Sequence, residues 1–209
     1  MEHRRFTVAL IVLLVALAAC SESTTESKRA ARSAPSAPAT GERLLAQPPD
    51  GWTEVFATDR AGIKIAEYVP PDSPEEWVEK VTFEALTGVQ LPDPIEFLTD
   101  LAADQKANCD GFQDHNTFSG YENNYPTSVR LFACTNNPLF KKGQVTLLKV
   151  ITGDESFYTI SWSRRTEPWV EGQMPGVEAE IGIWAKYLSA IGVCNPDASD
   201  HLCPNPESP

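Results

Sequence analysis

Few residues in this 209-residue chain are of types and spacings that could do chemistry. Asp114-His115 is the one acid–histidine pair within residues 44–194. Such a pair can supply a general base if a nucleophile lies beside it. No Gly-x-Ser-x-Gly turn is present, and the other histidine beyond the first twenty residues is His201. Asp114-His115 is therefore expected on a solvated loop, and no catalytic residue is assigned.

Three further groups could bind rather than react. Glu122-Asn123-Asn124-Tyr125-Pro126 reads as a polar loop entering a strand. Glu122 and Asn123 could present a carboxylate and amide to a ligand, although Asn and Pro are also the ordinary residues of a turn. Tyr158, Ile160, Trp162 and Arg164 alternate along one strand face, with Arg165 adjacent, and Arg130 and Phe132 alternate similarly. Arg130, Trp162 and Arg164 could form an anion or partner site, because Arg and Trp concentrate at interface hot spots. The competing reading is cross-strand packing, with arginine stems lying over rings. Glu178 and Glu180, with Glu167 and Glu171 upstream, could bind a cation. Acids opening a helix also complement its dipole, and that structural reading is preferred.

The elements that must position these residues follow from pattern. Trp52–Phe56 and Ile63–Val69 flank a hairpin-like Asp59-Arg-Ala-Gly62, and Pro70-Pro71 ends the second strand. Trp77–Leu86 alternates, with Trp77, Val81, Phe83 and Ala85 on one face. Asp93 is a candidate N-cap, with Pro94 in the first turn and Glu96 as capping-box partner. The stripe Phe97, Leu98, Leu101 and Gln105 carries that helix to Cys109. Strong strands are expected at 127–134, 144–152 and 157–164, the last two joined through Gly153-Asp-Glu-Ser156. A closing helix runs over 178–191, with Gly192 as its natural end. An antiparallel β-sheet with two packed helices is an α+β architecture.

Composition narrows the function classes. The net charge is −12, which lacks the basic footprint of a nucleic-acid binder. After Cys20 four cysteines remain: Cys109, Cys134, Cys194 and Cys203. An even number in an exported chain favours disulfides. Cys194 and Cys203 are close in sequence, which leaves Cys109 for Cys134. No Cys-x-x-Cys spacing suggests a metal site, and no cofactor is called for. Residues 21–41 lack apolar periodicity and read as a flexible tether, about 65 Å long if fully extended. One domain is expected over 44–194, followed by a tail, 195–209, that holds four prolines.

The first nineteen residues read as a secretory leader. Met-Glu-His-Arg-Arg carries net positive charge, and the apolar run Phe6–Leu17 is too short to span a bilayer permanently. The exit Leu17-Ala18-Ala19-Cys20 resembles the lipobox of bacterial lipoproteins. The resemblance implies diacylglycerol on the Cys20 sulfur, cleavage after Ala19 and acylation of the new amino group. Two or three acyl chains anchor stably where one does not. Removing a leader of net charge +1 from a chain of −12 leaves a mature protein of −13. Ser21 resembles the outer-membrane-directed class, if the host has two membranes.

The order ββ(β)-α-ββββ-α, with Gly51-Trp52 at its opening and Tyr68-Val69-Pro70 closing the first hairpin, resembles the Mog1/PsbP-like fold. Members are implied to be binding or assembly modules. No motif carries a functional residue over to this chain. The expectation is a lipid-anchored, periplasm-facing envelope protein, with residues 20–43 as lipidated Cys and tether. It would act as a non-enzymatic binding or assembly module for another envelope protein. The alternatives are a small-ligand or metal-binding lipoprotein and, last, an envelope hydrolase.

Overall fold

A computed structural model describes residues 41–204, apart from positions 75, 89 and 175. The predicted leader, Cys20 and most of the tether lie outside the described residues. Seven strands form one antiparallel sheet: β2 (Thr53–Arg60), β3 (Ile63–Val69), β4 (Glu79–Thr87), β5 (Phe112–Glu122), β6 (Tyr125–Asn137), β7 (Lys142–Thr152) and β8 (Ser156–Thr166). Their order across the sheet is β2-β3-β4-β8-β7-β6-β5. Short strands β1 (Arg43–Leu45) and β9 (Gly192–Cys194) pair separately. Helices α1 (Pro94–Ala107) and α2 (Glu178–Ser189) complete an α+β fold.

The sheet is apolar on both faces because each helix covers one of them. Val81, Leu131, Leu147, Ile160 and Trp162 face α2 and pack with Leu188, Ile191 and Val193. Phe132, Leu148, Val150 and Phe157 face α1 and pack with Leu98 and Ala102. The strands between the helices thus read as near-continuous apolar runs, as strands buried on both faces must. Helix α1 starts where its sequence says. The Asp93 carboxylate accepts from the backbone N–H groups of Ile95 and Glu96, at 2.8 and 3.1 Å.

Two expectations fail, for local reasons. Asp114-His115 lies on β5, not on a solvated loop. Its strand is the sheet edge, so half of its backbone and most of its side chains stay exposed and its composition remains polar. Gly192 does not end the last helix. That helix stops at Ser189 with Ala190 as its cap, and Gly192 opens β9. The β5–β6 hairpin uses a two-residue turn, Asn123-Asn124, with φ of 48° and 64°. Asparagine tolerates the left-handed region better than most residues, so it can occupy both positions of such a turn.

The cysteines form Cys109–Cys134 and Cys194–Cys203. The first joins the chain just after α1 to β6. The second folds the chain after β9 back on itself. The folded body therefore reaches past Cys194 to Cys203. His201 stacks on Tyr125 with ring centroids 4.0 Å apart, and Asn124 donates to the Asp200 carbonyl at 2.7 Å.

One buried charge sits at the junction of these parts. Lys149, in the middle of β7, is 0% exposed. Its ammonium donates to the carbonyls of Leu188 at 3.0 Å and Ile191 at 2.6 Å, and ion-pairs with Glu122. It thus caps the C-terminal end of α2, where the helix dipole favours a cation. Burial pushes the ammonium pKa down, and Glu122 opposes that shift. Lys149→Ala is expected to cost about 3–5 kcal/mol, because it leaves the Glu122 carboxylate and the Ile191 carbonyl without their shared cation. Pairing Lys149→Met with Glu122→Gln should cost less than the two single changes added together. Urea unfolding followed by tryptophan fluorescence measures both, and an unchanged midpoint in Lys149→Ala would refute the role.

Candidate functional site

The sheet has two dissimilar ends. At one end the β7–β8 turn receives the beginning of the domain. The Glu42 carboxylate accepts from the backbone N–H groups of Asp154 at 2.5 Å and Ser156 at 3.1 Å, and from the Tyr158 hydroxyl at 3.1 Å. Successive backbone N–H groups of a turn make an anion-binding concavity. Here a side chain of the chain itself fills it. Gly153 permits the contact, since a Cβ there would collide with the Glu42 carboxylate. The Gly41 N–H donates to Asp197 at 2.9 Å, which ties the C-terminal segment to the same place.

Beneath this clasp lie two buried tyrosines. Tyr158 is 3% exposed and Tyr125 1%, and the Tyr125 hydroxyl has no hydrogen-bond partner. Burial pushes both hydroxyls well above the usual tyrosine range, and the Glu42 carboxylate adds to it.

At the opposite end, Arg165 lies between two rings. Its guanidinium is 3.9 Å from the Trp77 centroid and 5.1 Å from that of Phe140. Its backbone N–H donates to Val78, which is itself exposed. The β6–β7 turn adds Leu139, 80% exposed, and the segment after β8 adds Val170, 69% exposed. Cation–π pairs of this kind contribute about 0.5–1 kcal/mol where exposed. The sandwich therefore orders the surface more than it stabilises the fold. The eleven residues of β7 separate the two ends by roughly 35 Å.

The five residues picked from the sequence as ligand contacts do not converge. Trp162 is fully buried under α2, and its indole N–H donates to Glu79 at 2.7 Å. Arg164 pairs with Glu180 at 3.0 Å and reaches Glu79 at 3.7 Å. Arg130 points to the other face of the sheet, where it pairs with Asp114 at 3.1 Å and donates to the hydroxyl of Thr99 in α1. Glu122 holds Lys149, and the Asn123 amide donates to the carbonyls of Val193 and His201, at 3.0 and 3.1 Å. Each polar group has an internal partner. The glutamates of α2's first turn divide similarly, since Glu180 is engaged by Arg164 while Glu178 stays exposed. Among the described residues, no cluster of three or more His, Cys, Asp or Glu is placed to hold a metal ion.

Sequence reading missed Lys149, Glu42 and the Trp77–Arg165–Phe140 sandwich. Lys149 had a signal, a lone charge inside the strand Thr-Leu-Leu-Lys-Val-Ile-Thr. A lysine at such a position must find acceptors or the strand cannot be buried. Glu42 had none, because its partners are backbone groups more than a hundred residues away.

No protein-family model and no curated protein sequence matches the chain. Similar solved structures exist. One is the Ran-binding protein Mog1p of Saccharomyces cerevisiae, 12% identical with a TM-score of 0.42, covering 74% of this chain and 96% of that one. Another is the cyanobacterial PsbP (CyanoP) of Synechocystis sp. PCC 6803, 10% identical with a TM-score of 0.44, covering 77% and 97%. Neither transfers a function to this chain.

The tyrosines give the site a measurable pH response. Above about pH 10 the unfolded chain releases the protons of Tyr125 and Tyr158 while the folded chain keeps them. The unfolded state then binds fewer protons, so stability falls as pH rises. Each tyrosine contributes a slope that approaches about 1.4 kcal/mol per pH unit as its unfolded form becomes fully ionised. Tyr158→Phe should remove one such contribution. Urea midpoints between pH 9 and 11, with tyrosinate absorbance recorded in parallel, test this. Equal slopes for the two proteins would count against it.

Proposed function

We propose that the chain is a lipid-anchored, non-enzymatic envelope module that binds another envelope protein at the Trp77–Arg165–Phe140 end of its sheet. One observation carries the reading. Ring–guanidinium–ring stacking and protruding apolar side chains occupy the end of the sheet away from Gly41, where the described domain begins. Aromatic residues and arginine dominate the energetics of protein interfaces. Val78, Leu139, Phe140 and Val170 expose apolar side chains beside that stack. The resemblance of Leu17–Cys20 to a lipobox supports the anchor, and the composition of 21–41 supports a tether. Two disulfides suit an oxidising, periplasm-facing compartment. Ser21 favours the outer membrane in a two-membrane host. The acidity of the mature chain leaves contact with anionic lipid to the anchor.

Two measurements test the reading separately. Cys20→Ala should abolish incorporation of a labelled fatty acid and move the protein out of the membrane fraction. Retention of label would refute lipidation at Cys20. A photocrosslinking side chain at position 140 should give a discrete adduct in cells, and one at position 118, on the β5 edge, should not. Arg165→Ala should reduce the adduct about tenfold or more, the range of a hot-spot truncation. Equal adducts at both positions, or no effect of Arg165→Ala, would refute the surface.

A further inference from the structure

A second concave feature lies away from that surface, on the α2 side of the sheet over β3 and β4. It is a groove of about 520 Å³, and no residue of α2 lines it. That volume falls within the range of small-molecule sites, roughly 300–1,000 Å³. Its floor is Ala66, Phe83 and Ala85, and Leu44 and Ala46 form one wall. Two alanines side by side keep the floor low, so a chain-like ligand could lie against the backbone.

The groove is chemically graded. Register places Lys64 beside Ala85, and Ala85 beside Tyr158, in one row across the sheet. The next row is Ala66 and Phe83, and the one after is Tyr68 and Val81. Charge and hydroxyl therefore gather in the first row, apolar surface in the second. Tyr68 closes the far end with its hydroxyl on Glu54 at 3.0 Å.

Two cations line this groove without an acidic partner. Lys80, Arg130, Lys142, Lys149 and Arg164 each have a carboxylate within ion-pair distance. Among the described residues, Arg43 and Lys64 have none, as is also true of Arg60, Lys106, Lys141, Arg165 and Lys186, and the Arg43 Nε is buried with no hydrogen-bond partner. Three acids also line it, Glu42, Asp59 and Glu84. Glu42 is held by the β7–β8 turn, and Glu84 accepts from Thr159 on the opposite face at 2.9 Å. Asp59 lies opposite Lys64 in register but makes no ion pair with it.

We infer that the groove binds a long-chain carboxylate, its head between Arg43 and Lys64 and its apolar chain along Leu44, Ala66 and Phe83. The head pairs with the Arg43 guanidinium, since guanidinium and carboxylate match in geometry. The chain covers half-exposed Phe83 and the two alanines. This site is independent of the protein partner proposed above, because it lies on another surface.

The test uses the mature chain with Cys20→Ser, so that no attached acyl chain competes. Calorimetry follows dodecanoate, dodecyltrimethylammonium and acetate, all below their micellar concentrations. Dodecanoate should bind one-to-one and at least tenfold more tightly than either control. The double change Arg43→Gln with Lys64→Gln should weaken dodecanoate tenfold or more and leave dodecyltrimethylammonium unchanged. Ala85→Trp should abolish binding by filling the floor. Ala66→Leu, a smaller intrusion, should weaken it if Ala85→Trp fails to fold. Equal affinity for the two dodecyl compounds, unaltered binding in the double variant, or no dodecanoate binding would overturn the inference.

Discussion

The Lys149 ammonium is the interaction on which the rest of the packing turns. It is the one point where β7, the C-terminal end of α2 and the β5–β6 hairpin meet through a single group. An isolated ammonium at full burial would be far too costly to keep. Its three protons are matched by three acceptors, and two of those are the carbonyls of Leu188, in the last turn of α2, and Ile191, just past it. The ammonium therefore ties β7 to the place where α2 stops. That place is Ser189, short of the glycine that sequence offers as its terminator.

From that stop the rest of one end follows. The chain leaves α2 through Ala190 and Ile191 directly into β9, which pairs with β1 and sets Leu44 against Val193. Pairing β1 there places Glu42 within reach of the β7–β8 turn. The Cys194–Cys203 bridge then returns the C-terminal segment to Asn123, beside Glu122 and hence beside Lys149 again. Charge, strand pairing and disulfide form one closed loop of constraints. Both tyrosines of the clasp owe their burial to it.

The sequence made the strands and α1 legible because their signals are local. Asp93 and Pro94 mark a helix start within two residues, and alternation in 77–86 identifies a face without knowledge of its partner. The closing helix was legible in place but not in length, since its end is tied to Lys149 thirty-nine residues earlier. β5 was obscured because an edge strand needs no apolar alternation. Asp114 and His115 looked like loop residues for that reason. The binding candidates failed to converge for a related cause. Arg130 and Trp162 share a pattern of alternation but lie on opposite faces, and alternation within one strand cannot give its phase relative to another. Arg43 and Lys64, which do share a groove, are twenty-one residues apart and belong to different sheets.

The arrangement of charge explains why one acidic domain can offer two different surfaces. Several of its cations are engaged internally: Lys149 and Arg164 hold helix α2, Arg130 fastens β5 to β6 and α1, and Lys80 joins β3 to β4. Three others stand at opposite ends of the sheet. Arg165 is shielded between rings, where its charge is spread over aromatic faces and suits contact with protein. Arg43 and Lys64 are left without acids beside an alanine floor, where their charge can act on a small anion. The two surfaces face different chemistry because their cations have different neighbours. The Glu42 clasp, anchored by backbone groups rather than by a competing cation, leaves Arg43 free in this way. A carboxylate satisfied by N–H donors needs no arginine, and that economy is what keeps one arginine available at the groove.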